Sequence, residues 1–282
     1  MGQTLLELEA LSLDREIIMK INFIGGGNMA QAIINGLLDN NYSKDDLHVM
    51  EIDPKQQLKI KSTLSISTSN IIEPGENSII ILAIKPDQIE SVCKNISPKI
   101  KNHLVISIAA GVKSKKISDW LGGYKNVIRV MPNLAAKIQQ GITAIYADKS
   151  ISEDSRKEAN KIFSAIGDIL WLDNEEKMDS VTALSGSGPA YIFMFISALI
   201  EAGQKIGLSL EEAQSLSYST VYGSTLLAKD HLNDLESLIE NVTSKGGTTE
   251  QGIKILKECN LKNIIYLAAE AAYIRAKEIG NH

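Results

Sequence analysis

The chain has 282 residues, 44% of them hydrophobic and 22% charged, with 5% aromatics and 6 prolines. This is the composition of a globular protein of about two domains; it excludes disordered, collagen-like and coiled-coil classes, and its low aromatic content suits helices packed on a parallel sheet. The net charge is −5, with 20 basic and 19 acidic side chains in residues 1–172 against 9 and 15 in residues 173–282, so nucleic acid is not an expected partner.

Residues 1–18 carry four acidic side chains and no apolar stretch of signal-peptide type, and are read as an extension preceding a fresh start of pattern at Met19. Strands are expected at 21–24, 47–50, 78–84, 104–108, 127–130, 142–146 and 169–172, each short, apolar and rich in β-branched residues. Helical segments alternate with them, the signature of βαβ units. After Trp171 the strand pattern stops. Segments 174–184, 189–206, 210–230, 234–242, 249–258 and 262–279 have helical apolar spacing. Gly207 is expected to end one of these helices, and Ser209 with Glu212 to form a capping box for the next. The reading is an α/β domain with a mainly parallel sheet at 19–172, followed by an all-α domain at 173–282.

The apolar run 190–200 is shorter than the roughly 20 residues of a membrane span. It is read as a buried helix in the core or at a subunit interface, so no membrane partner is expected and a dimer or higher homo-oligomer is. Cys93 and Cys259 stand far apart with no Cys or His beside either, which points to no disulfide, no metal site and a reducing, cytoplasmic setting.

Directly after the first strand comes Gly25-Gly26-Gly27-Asn28-Met29-Ala30 and then a helical pattern, a G-x-G-x-x-A turn in strand–turn–helix context. Gly25 permits the tight turn, Gly27 lets backbone approach a pyrophosphate, and Ala30 allows close helix–strand packing. Glu51, at the end of the second strand, stands where an acidic residue meets the adenosine ribose and disfavours a 2′-phosphate. Lys55 and Lys59 nearby are able to hold a phosphate, so the cofactor is read as NADH or NADPH, with a lean toward NADH.

Five further stretches accompany this turn: Ala83-Ile84-Lys85-Pro86, Ser107-Ile108-Ala109-Ala110-Gly111, Arg129-Val130-Met131-Pro132-Asn133, Ser185-Gly186-Ser187-Gly188-Pro189-Ala190-Tyr191 and Ser244-Lys245-Gly246-Gly247-Thr248-Thr249. In this order the chain resembles the pyrroline-5-carboxylate reductase family from Ile21 to about Lys277. The resemblance implies a Rossmann-like cofactor domain, a helical C-terminal dimerisation domain, and active sites between the two. It implies hydride transfer from NAD(P)H to the cyclic imine of pyrroline-5-carboxylate, giving L-proline. Cofactor contacts are implied at Ile24, the glycine turn, Asn70, Leu82 to Pro86, Ala109 to Gly111, Met131 and Asn133. The chain departs from the family pattern at Lys245, at Leu134-Ala135, and at the acidic pair Glu51 and Asp53.

The substrate that the resemblance implies is a small anion, for which Ser187, Ser244, Gly246, Gly247, Thr248 and Thr249 are the expected binding residues. Gly246 and Gly247 leave their amides unobstructed, and Thr248 with Gln251 reads as a capping box opening the following helix. Thr249 is the residue expected to contact the imine side of the ring. No histidine falls in these motifs, and a protonated imine placed against a hydride donor needs no obligatory side-chain acid. Two alternatives stand beside this reading. One is a related imine or β-hydroxyacid dehydrogenase, although Lys177 lacks the motif around a catalytic lysine. The other is a non-catalytic NAD(H)-binding sensor, for which a second anion site has no purpose.

Overall fold

The computed structural model describes residues 19–230 and 234–281; the 1–18 extension, His231 and His282 lie outside them. It divides into two compact units, one holding residues up to 186 together with 276–281, the other residues 187–275.

The first unit is built on an eight-stranded sheet: β1 (Ile21–Ile24), β2 (Leu47–Met50), β3 (Ser67–Ser69), β4 (Ile79–Leu82), β5 (Leu104–Ser107), β6 (Val127–Met131), β7 (Gly141–Ala147) and β8 (Gly167–Trp171). The order across the sheet is β3-β2-β1-β4-β5-β6-β7-β8. All pairs are parallel except β6 with β7, where Val130 faces Ile145 in antiparallel register. Strand period two divides the side chains between two cores. Ile21, Phe23, Ile79, Ile81, Leu104 and Ile106 pack with Ile33, Ile34 and Leu37 of α1 (Asn28–Asp39) and Ile162 and Phe163 of α5 (Glu153–Ser164). On the other face Ile24, Ile80, Leu82 and Val105 meet Ile89, Cys93 and Ile96 of α3 (Pro86–Ile96) and Ile117 of α4 (Ser114–Trp120). Burial on both faces explains why the central strands read as unbroken apolar runs.

Strand β3 escaped the sequence reading because Ser-Thr-Ser has no apolar alternation. It forms at the sheet edge by pairing with β2, where the His48 ring nitrogens lie 2.7 and 2.9 Å from the hydroxyls of Ser67 and Ser69. Helix α2 (Pro54–Leu64) joins these two strands; Asp53 caps it by accepting the Lys55 amide, with Pro54 in the first turn.

The first compact unit runs on to residue 186, past the end of the strand pattern at 172. Helix α6 (Lys177–Val181) and the π-turn Thr182–Gly186 stay with the sheet, because buried Arg129 of β6 faces both Glu175 and Asp179. The segment around Ser185 is a π-turn that continues α6.

The second unit holds α7 (Gly188–Lys205), α8 (Leu210–Asp230), α9 (Leu235–Asn241), α10 (Thr248–Glu258) and most of α11 (Leu261–Asn281). The Ser209–Glu212 capping box forms as expected: the Ser209 amide donates to Glu212 Oε2 at 2.8 Å and the Glu212 amide to Ser209 Oγ at 3.2 Å. Gly207, at φ +109°, ends α7. Where α7 meets α8, a Cβ on Gly203 would lie 3.0 Å from Ala213 Cβ.

The expected burial of α7 is not found within one chain. Among the described residues from 187 to 275 only Gly203, Ala213 and Ser217 are buried, while Phe193, Met194, Tyr222 and Leu227 are exposed. Residues Lys177–Lys205 also form one run of 29 residues with a window of mean hydropathy 1.5, long and apolar enough by length and composition to cross a membrane, which the 190–200 stretch alone is not. Core helices of soluble proteins pass the same test. An apolar surface of this extent marks a site of association.

Candidate functional site

The strand order places a topological switch point between β1 and β4, and ligands of open α/β sheets bind beyond the carboxyl ends of such strands. A cavity of about 400 Å³ lies there, walled by the glycine turn, the strand ends at Glu51 and Ala83, and one face of α3. Gly25, at φ +95°, donates its amide to Met50 O at 2.8 Å, and a Cβ on it would sit 2.5 Å from Ala83 O, so only glycine fits. Gly27 caps α1 without a side-chain bond, and a Cβ there would meet nothing within 4 Å. Gly27 itself lines the cavity, at the end of α1 where the first helical amides have no partner within the helix.

Of the residues expected at the cofactor, Ile24, Gly25, Gly26, Gly27, Glu51, Asn70, Ala83, Ile84 and Lys85 all line this cavity. The others stand off it. Leu82 is fully buried in β4 and Pro86 opens α3, while Ala30 and Ala109 are packed in the two cores. Asn28 is exposed and Met29 half-buried in the first turn of α1. Ala110 is half-buried, and Gly111, at φ +79°, packs against the end of α11, where an added Cβ would lie 2.9 Å from Gly280 N. Met131 abuts Gly186, and Asn133 Nδ2 donates to Ser185 Oγ at 3.4 Å.

Sequence reasoning missed Gln88, Ser91 and Val92, which also line the cavity. Their i, i+3, i+4 spacing behind the Pro86 start puts them on one face of α3 and was a readable signal. It also missed Gln31 and Gln56, which hold the Gly26 carbonyl and whose partners no local pattern announces.

Of the expected substrate residues, Ser244, Gly246, Gly247, Thr248 and Thr249 lie together in the second unit, in the loop leading into α10; Ser187 lies apart from them in sequence, at the N-cap of α7. Gly246 adopts φ +74°, and a Cβ on Gly247 would lie 2.4 Å from Ser244 Oγ. The Thr248–Gln251 capping box is not formed. Gly247 is the N-cap, and Glu250 reaches back so that Gly246 donates its amide to Oε2 at 2.8 Å. The shift has a simple cause: the left-handed turn at Gly246 starts the helix one residue earlier, which puts Glu250, not Gln251, at the third helical position. Among the described residues no group of three or more His, Cys, Asp or Glu is placed to hold a metal ion.

A charged cluster braces the sheet end of the first unit. Glu175 accepts from the Ser114 amide and hydroxyl, both at 2.7 Å, and lies 3.4 Å from Arg129 Nη1; Asp179 Oδ1 is 3.5 Å from Nη2. Burial, then the Glu175 and Asp148 charges, push the Tyr146 hydroxyl pKa upward. Beside the cluster, the hydrogen bond from Lys113 holds the Glu176 carboxyl below its usual range.

Comparison with known proteins places this arrangement in company. Residues 175–279 match the family model for pyrroline-5-carboxylate reductase dimerisation, and residues 20–111 the model for NADP oxidoreductase, coenzyme F420-dependent. Pyrroline-5-carboxylate reductase of Pseudomonas aeruginosa is 35% identical over 263 residues, covering 92% of this chain and 96% of that protein. The solved structure of a pyrroline-5-carboxylate reductase from Coxiella burnetii is similar at a TM-score of 0.84 and 37% identity, covering 93% of this chain and 98% of the other. The Plasmodium falciparum pyrroline carboxylate reductase with NADP bound is similar at 0.84 and 32%, with the same coverage.

Proposed function

This chain belongs to the pyrroline-5-carboxylate reductase family, and from that we propose that it reduces 1-pyrroline-5-carboxylate to L-proline with a nicotinamide cofactor. The observation that carries the reading is the cavity at the switch point, in which nine of the residues expected at the cofactor converge. The site fits a dinucleotide: the turn is pressed against Ala83 by glycine, Gly27 is open on its outer side, and about 400 Å³ lies in the ordinary range of ligand pockets.

The cofactor, when bound, supplies the hydride. The chain's own residues bind and orient. Amides at the start of α1 take the pyrophosphate, and Lys85 and Asn70 at the cavity wall add polar contacts. Glu51 sets the preference for NADH, because a fixed carboxylate at the end of β2 repels a 2′-phosphate. In the second unit, the amides of Thr248 and Thr249 at the start of α10 receive the substrate carboxylate with the Ser244 hydroxyl, and the Thr249 hydroxyl orients the imine nitrogen. Ser187 completes the substrate side. No side-chain acid is required when the imine enters protonated.

Self-association belongs to this reading: the exposed Phe193, Met194 and Tyr222 give a second copy an apolar face, within the segment that matches the dimerisation model. A cytoplasmic location goes with it.

The test is cofactor oxidation followed with pyrroline-5-carboxylate, its six-membered homologue and a panel of hydroxy acids. The expected result is turnover of the five-membered imine with kcat/KM higher for NADH than for NADPH, and loss of most turnover in Thr249→Ala. Clear cofactor binding with no turnover of any substrate favours the sensor instead.

A further inference from the structure

The glycine turn is held by more than its own sequence. Gly26 donates its amide to Glu51 Oε2 at 2.9 Å, while its carbonyl accepts from Gln31 Nε2 at 2.8 Å and from Gln56 Nε2 at 2.6 Å. Both lone pairs of that carbonyl are taken. Glu51 is itself fixed, since Oε1 accepts the Asp53 amide at 3.0 Å and its backbone carbonyl accepts from Gln57 Nε2 at 2.6 Å. Each peptide is planar and trans, so fixing one end fixes the other. The two glutamines aim the Gly26 carbonyl one way and hence the Gly27 N–H the opposite way. Among the described residues, no backbone acceptor takes the Gly27 N–H.

Three consecutive glycines form the most mobile backbone that a chain can offer, and ordering them on binding weakens affinity. Side-chain volume also confines the turn: a Cβ on Gly26 would lie 2.3 Å from Ile60 Cδ1 of α2. Neither Gln31 nor Gln56 is among the residues that line the cavity.

We propose that Gln31 and Gln56 are positioning residues which, with Glu51, lock the two peptides flanking Gly26 in the orientation that presents the Gly27 amide to the cofactor before it arrives. This rests on the cofactor reading above. It makes Glu51 serve twice, as brace and as selector, and Glu51→Gln tells the two apart: it keeps an oxygen acceptor for the Gly26 amide, gives up the bond from the Asp53 amide and removes the charge.

The experiment measures NADH and NADPH dissociation constants by direct titration, amide hydrogen exchange at residues 25–28 without cofactor, and Tm, for Gln31→Met, Gln56→Met, the double variant and Glu51→Gln. Each single variant leaves one donor on the carbonyl and is expected to weaken NADH about 3-fold or less; the double is expected to weaken it about 10-fold, more than the product of the singles. Exchange at the turn rises in the double variant while Tm and the KM for the imine hold. Glu51→Gln is expected to keep the turn protected and narrow the gap between the two cofactors. A double variant that binds both cofactors like the unaltered protein, or that exchanges no faster at the turn, overturns the brace and leaves the cofactor reading standing. An unaltered protein that binds neither cofactor sinks that reading instead.

Discussion

Arg129 is 1% exposed, and its Nη1 lies 3.4 Å from Glu175 Oε1, tying β6 to the turn that precedes α6. Asp179, 4% exposed, joins the pair to make a triad of which Arg129 and Asp179 are buried and Glu175 half-buried. Removing one member of such a group leaves charge stranded out of water. Arg129→Met is therefore expected to lower unfolding free energy by about 3–5 kcal/mol, read by denaturant melts. The triple variant Arg129→Met, Glu175→Gln, Asp179→Asn is expected to recover part of that loss, since no uncompensated charge remains. A single variant as stable as the unaltered protein sinks the account.

Gly111 and Gly280 form a contact of backbone on backbone: a Cβ on Gly280 would lie 2.3 Å from Gly111 O. The same closeness, with φ +79° at Gly111, makes alanine there both clashing and strained. Gly111→Ala is expected to cost about 2 kcal/mol and to speed proteolysis near residue 280, as read by mass spectrometry of limited digests. Unchanged cleavage kinetics count against a packing role.

Burial lowers the pKa of His48 from its ordinary 6.5. The unfolded chain then takes up a proton at higher pH than the folded one, so the contribution is complete above about pH 6.5 and is lost as pH falls through the folded value. Between about pH 7.5 and pH 5 the fall in Tm is expected to be smaller for His48→Gln than for the unaltered protein. Equal falls in the two refute it.

Burial pushes the Cys93 thiol up to about 12, and the residue is fully buried between α3 and the sheet. Its thiolate population is negligible at neutral pH. Peptide mapping after iodoacetamide treatment is expected to find Cys93 unlabelled in the native protein and labelled in denaturant. Labelling at equal rates in both states contradicts the burial.

Local chemistry determined much of this protein by itself. Apolar runs of strand length, a glycine turn between strand and helix, and Ser209 with Glu212 three residues on are interactions among near neighbours, and each forms within about two residues of where the sequence alone placed it. The helices of the second unit follow from period alone, because a helix bonds to itself. What only tertiary structure decided involves partners far apart in the chain: β3 pairs because β2 offers it an edge, Gln56 finds Gly26 across 30 residues, and Arg129 of β6 faces Asp179 of α6. Sequence period reports which side chains share a face. It does not report which distant carbonyl or carboxylate that face will meet, and in this chain those meetings fix the glycine turn and hold α6 to the sheet.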